Sequence, residues 1–108
     1  MLVDALLKIM EVARILGLSE NDLKSAKDYL VHNELGLCFD TIITQLYEYD
    51  IEIDNNFYES ISRIGEKMSL EQNSYSFIKE LIRDENKSIP KPVKDELANI
   101  IKSLMKER

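Results

Sequence analysis

Three observations predict an all-α fold, a compact bundle of about six short amphipathic helices. Apolar residues recur at helical spacing along nearly the whole chain. Glycine and proline are scarce, three and two in 108 residues, which favours long helices over hairpins. Only one short segment alternates polar and apolar residues, so no second strand offers to pair with it. This length fits a single domain over 1–108. It can bury roughly two-thirds of its unfolded surface, enough for a core without staples.

The elements follow in order. Leu2, Leu6, Ile9, Ala13 and Leu16 make one stripe of a first helix. Gly17 suits the position just past its end, where a left-handed backbone costs glycine little. Ser19 is a natural N-cap for a second helix, with Glu20 and Asp22 in the first turn, where the helix dipole favours acids. Leu23, Ala26 and Leu30 are that helix's buried stripe. His32-Asn33 marks a break, and Asn33 can end one helix or cap the next. A third helix spans about 34–49, with Leu35, Phe39, Ile42, Leu46 and Tyr49 on one face. Cys38 and Ile43 widen the stripe, which makes this the central helix. Gly36 near its start leaves room for a neighbouring backbone.

The alternating segment, 49–54, reads as an extended connector that tucks Ile51 and Ile53 into the core. Asp54 or Asn55 caps a fourth helix carrying Phe57, Ile61, Ile64 and Met68. Ser74 caps a short fifth helix carrying Phe77, Ile78, Leu81 and Ile82. Residues 84–91 are the most loop-like stretch. Pro92 suits the first position of a sixth helix, whose buried face is Val93, Leu97, Ile100, Ile101 and Leu104. The tail, 102–108, is mostly basic and complements the negative end of that helix.

Charge is segregated along the chain. No lysine or arginine occurs between Lys27 and Arg63, a window holding eight acids. Residues 1–27 balance four acids with four bases, and 63–108 hold eight acids against ten bases. The net charge of −6 therefore comes from the middle of the chain. A one-signed field of this kind repels nucleic acid and attracts a basic protein surface. Charge alone is equally compatible with a merely solvated acidic face.

Several functions lack the residues they need. His32 is the only histidine, and neither H-E-x-x-H nor C-x-x-C occurs, so no zinc site is expected. Asp50, Glu52 and Asp54 imitate the start of a calcium loop. The sixth position of that loop would be Asn55 and the twelfth Ile61, instead of glycine and glutamate. Cys38 lies by an apolar stripe, where a thiol is inert. No glycine-rich phosphate loop is present, and the aromatic-rich block is the one without bases. Neither enzymatic activity, a cofactor, nor direct nucleic-acid binding is expected. As the only cysteine, Cys38 allows no internal disulfide, which fits a reducing compartment. The start, Met1-Leu2-Val3-Asp4, lacks a basic segment and does not read as a signal peptide. No apolar run reaches the ~20 residues of a membrane span. A cytoplasmic protein is expected.

What remains is a binding surface. Tyr47, Tyr49, Phe57 and Tyr58 lie among Glu48, Asp50, Glu52 and Asp54. Tyrosine beside carboxylates is a combination that interfaces favour. Tyr49 is in phase with the buried stripe and is expected in the core; Tyr47 is off that phase, and core and interface are both open to it.

The run His32-Asn33-Glu34-Leu35-Gly36-Leu37, followed by Gln45-Leu46-Tyr47-Glu48-Tyr49-Asp50-Ile51, resembles small bacterial immunity proteins of the Maf and contact-dependent growth inhibition systems. Those sequences carry a helix ending in a small or polar pair, then Glu-x-Gly-x-Ala, then a Leu-Tyr/Cys-Glu-Tyr/Asp segment. Lys67-Met68-Ser69-Leu70 and Ser74-Tyr75-Ser76-Phe77-Ile78-Lys79-Glu80-Leu81 fit the same pattern. The resemblance covers about 18–83 and departs at Cys38, where alanine is expected. It implies an antidote that binds the toxic C-terminal domain of a delivered effector, commonly a ribonuclease with a basic active site. Glu34, Tyr47, Glu48, Asp50, Glu52 and Asp54 are expected to supply most of the toxin-facing surface. His32 and Asn33 either join that surface or simply close the helix break. The rival reading is a helical adaptor unrelated to toxins, docking another protein's helix in a groove.

Overall fold

The computed structural model describes residues 2–83 and 89–106. Most of the loop expected over 84–91, and the Arg108 end of the basic tail, lie outside the described residues. The fold is an all-α bundle. Its helices are α1 (Leu2–Leu16), α2 (Glu20–Val31), α3 (Leu35–Glu48), α4 (Asn55–Lys67) and α5 (Lys91–Lys106). Between α4 and α5 run two 3₁₀ segments, η1 (Gln72–Ser74) and η2 (Ser76–Leu81). The six expected helices are present, the fifth of them as the 3₁₀ helix η2.

Four of these helices end by one device. Gly17, Asn33, Asp50 and Ser69 each follow a helix with φ of 118°, 61°, 50° and 60°. The next amide in each case reaches back five residues: Leu18 N to Ala13 O at 2.9 Å, Glu34 N to Tyr29 O at 2.8 Å, Ile51 N to Leu46 O at 3.0 Å and Leu70 N to Gly65 O at 3.0 Å. This six-to-one bond satisfies carbonyls that the helix leaves unpaired. It also turns the chain so that the following apolar residue folds back, and Leu18 is buried in this way. Asn33 thus ends α2, and Glu34 precedes α3 without a side-chain cap bond. At the other ends, Ser19 Oγ accepts from Asp22 N and Asp54 Oδ1 from Phe57 N, as the cap positions require.

α2 packs on α3, α1 lies across α3 and α5, and α4 packs on α5. The stripes meet in one core that includes Leu6, Ile9, Phe39, Ile42, Leu46, Phe57, Ile61 and Ile64. No described helix is long and apolar enough to cross a membrane.

Four expectations need correction. The alternating segment does find a partner. Ile53 forms a parallel bridge with Ile82, with Ile53 N bonded to Leu81 O and Arg83 N to Ile53 O, both at 3.0 Å. A pairing this short needs only one extended residue after η2, so no second alternating run announces it. Tyr49 is 61% exposed instead of buried, because α3 stops at Glu48 and the turn at Asp50 carries Tyr49 off the stripe. Ser74 is no cap: η2 begins after Tyr75, which makes no capping side-chain bond. Gly36 is exposed and has nothing within 4 Å of where a β-carbon would stand. The close approach is at Gly65, against which the buried Tyr75 ring packs. Tyr75 in turn meets Phe39 edge-on, with ring centroids 6.3 Å apart.

Candidate partner-binding surface

The bridge between Ile53 and Ile82 brings the η2 segment against the end of α3. Tyr47 stands edge-on to Phe77 at 5.2 Å, and its hydroxyl donates to Glu80 Oε1 at 3.3 Å. Arg83 Nη2 reaches Asp50 Oδ1 at 3.5 Å, and Arg83 Nη1 donates to the Glu80 carbonyl. The 47–50 end of α3 and the 80–83 end of η2 therefore form one surface. Tyr47 is 39% exposed, apolar on the side facing Phe77 and open at its hydroxyl.

Negative charge accumulates there. The Tyr47 hydroxyl is held above its ordinary pKa, first by the Glu80 charge and its hydrogen bond, then by slight desolvation and by Glu48 and Asp50. The last turn of α3 contains no base, although the dipole places negative partial charge at this end. Glu48, Asp50 and Glu52 are exposed.

The six residues singled out from the sequence do not form one patch. Tyr47, Glu48 and Asp50 lie together at the α3 end, with Glu52 just beyond the turn. Asp54 serves the fold: it caps α4 through Oδ1 at 2.7 Å, and its Oδ2 pairs with Lys94 at 3.0 Å. Its side chain is only 17% exposed. Glu34 stands at the opposite end of α3, about 20 Å away at 1.5 Å per residue. Around it lie exposed Val31 and Leu37. His32 faces backward there, its Nδ1 donating to the Asp28 carbonyl at 2.7 Å, which closes the end of α2.

Sequence reasoning missed Glu80, Arg83 and Phe77 as members of the surface, and misplaced Tyr49. Nothing local marks the first three, since Tyr47–Glu80 and Asp50–Arg83 are each separated by 33 residues. The basic-free window is likewise not basic-free in space, because Arg83 and Lys94 fold back onto it.

Cys38 is fully buried, and burial pushes its thiol up to about 11. Among the described residues, no group of three or more His, Cys, Asp or Glu side chains is arranged to hold a metal ion. No family model matches the chain, and neither do the curated proteins nor the solved structures.

Proposed function

We propose that this chain is a cytoplasmic immunity protein that binds and neutralises a cognate contact-dependent toxin domain, a ribonuclease. It does so by covering the toxin's basic active site with an acidic surface. One observation carries the reading: Glu48, Asp50, Glu52 and Glu80 surround the α3 terminus together with two exposed tyrosines. Acids at the negative end of a helix lower local stability by a few tenths of a kcal/mol each. Retaining several of them there fits a surface kept for binding at some expense of stability.

The mechanism follows from charge and shape. A nuclease site is basic because it holds phosphates. An acidic face steers encounter with it, raising association ~10–10³-fold at low salt. Tyr47 and Tyr49 then supply rigid apolar area with a polar tip, the residue type that anchors interfaces. Arg83 pairs with Asp50 and donates to the Glu80 carbonyl, so this corner carries one base among its acids. The resemblance at 32–37 and 45–51 supplies the antidote role, and Glu34 with Val31 and Leu37 would form a separate, smaller contact.

This reading expects a toxin domain to be encoded directly upstream of the chain, and co-expression with that domain tests the proposal. The wild-type chain should suppress toxicity and co-purify with that domain. Glu48→Lys combined with Glu80→Lys should weaken binding at least tenfold and flatten its salt dependence. If affinity and salt dependence both stay unchanged, the acidic corner is not the interface. If no binding occurs, the toxin reading fails and the helical-adaptor reading replaces it.

A further inference from the structure

A second surface has the opposite character. α4 and α5 begin side by side, tied where the Asp54 carboxylate meets Lys94 at 3.0 Å. From that tie a half-open groove of about 820 Å³ runs between the two helices. Phe57, Leu97 and Ile101 line it, each less than one-tenth exposed, so the groove shows the edges of core residues. Among the described residues, Met105 is the one large apolar side chain along it that is substantially exposed.

The rim is basic on an acidic protein. Among the described residues, five bases and three acids line the groove, although the whole chain carries −6. The bases are not equivalent. Lys94 is paired with Asp54, and Lys91 with Asp95 at 3.2 Å. Arg63, Lys102 and Lys106 form no ion pair with any described residue, even though Glu59 also lines the groove. Arg63 lies nine residues beyond Asp54 and Lys102 eight beyond Lys94, about 12–14 Å along each helix. Among the described residues, the positive charge without an ion-pair partner therefore collects at the end of the groove away from the Asp54–Lys94 tie.

We propose that this groove binds a free single-chain anionic amphiphile, a long-chain carboxylate. Its tail lies along Phe57, Leu97 and Ile101, and its carboxylate meets Arg63, Lys102 and Lys106. Charge complementarity selects an anion. Shape selects a slim chain: a docked helix uses protruding apolar anchors and pockets to receive them, whereas this floor offers only edges. The volume lies within the range of small-molecule sites, roughly 300–1,000 Å³. The groove is built from α4 and α5 and does not depend on the acidic corner, so this inference stands apart from the toxin reading.

Titration of the whole protein with decanoate, dodecanoate and tetradecanoate, each below its micelle concentration, tests the proposal. Calorimetry reads affinity, and methyl chemical shifts of Leu97, Ile101 and Met105 read location. Affinity should rise about two- to fourfold for each methylene added. Dodecylammonium, with the same tail and opposite charge, should bind at least tenfold more weakly than dodecanoate. Lys102→Glu with Lys106→Glu, both exposed positions, should cost dodecanoate at least tenfold while the thermal midpoint stays within a few degrees. Equal binding of the two head groups, no dependence on chain length, or an unaffected double variant each overturns the proposal. So does a groove that responds only to an acidic amphipathic peptide or to self-association at high concentration, because those outcomes name a different occupant.

Discussion

The Tyr75 ring occupies the space a β-carbon on Gly65 would need, with ring Cδ2 2.7 Å from that point. Tyr75 is buried and braced by Phe39, so it has little freedom to withdraw. Gly65→Ala should therefore destabilise the fold by about 1–3 kcal/mol through overpacking, despite alanine's better helix propensity. Gly36→Ala is the matched control. Its β-carbon meets nothing, and it should be neutral or stabilising by up to about 1 kcal/mol. Urea denaturation of both variants checks the pair; equal effects would contradict the packing argument.

Asp50 separates charge from fold. Its φ of 50° is the conformation that ends α3, and its ion pair with Arg83 is largely exposed. Asp50→Gly should keep near-native stability, because glycine adopts this backbone freely and an exposed pair contributes little. Asp50→Val should cost about 1–2 kcal/mol, since a branched side chain resists a left-handed backbone. Thermal melts distinguish the two, and Asp50→Gly then becomes a clean probe of the acid's part in binding.

Asp54 should behave in the reverse way. Asp54→Ala removes both the α4 cap and the partner of Lys94, and should cost about 1–2 kcal/mol. Asp54→Asn keeps an acceptor for the Phe57 amide and should cost less than half as much. If Ala and Asn prove equal, the cap bond contributes nothing. If toxin affinity falls with Asn while stability holds, Asp54 belongs to the interface after all.

The phenol of Tyr47 reports on the acidic corner. Its pKa is raised, with the Glu80 charge as the largest cause. Glu80→Gln should move it back toward the ordinary value near 10, followed by the ring carbon shifts of Tyr47 during an alkaline titration. No movement would mean that Glu80 does not sit against the hydroxyl in solution.

Cys38 gives a pH signature in the alkaline range. Its folded value, about 11, lies above the ordinary thiol value of 9.0, so the unfolded thiol loses its proton first. The stability linked to this group is complete below pH 9 and is lost as pH rises toward 11. A shift of this size corresponds to roughly 2–3 kcal/mol. Denaturation midpoints of wild type and Cys38→Ala should therefore converge between those values. At pH 8 the native thiol should resist alkylation until the chain unfolds.

The sequence by itself determined the local structure. Helical stripes, the Gly17 stop, the Ser19 and Asp54 caps and the break at His32-Asn33 depend on residues within a turn or two of each other, and periodicity and capping chemistry reveal such relations directly. Only the tertiary structure decided which acids stand together. It gave Asp54 to Lys94 and brought Glu80 and Arg83 to the α3 end through the Ile53–Ile82 bridge. The reason is physical. A helix forms from bonds four residues apart, whereas a surface forms from elements that pack across thirty or more. The charge balance of such a surface depends on that packing, and no count along the chain contains it.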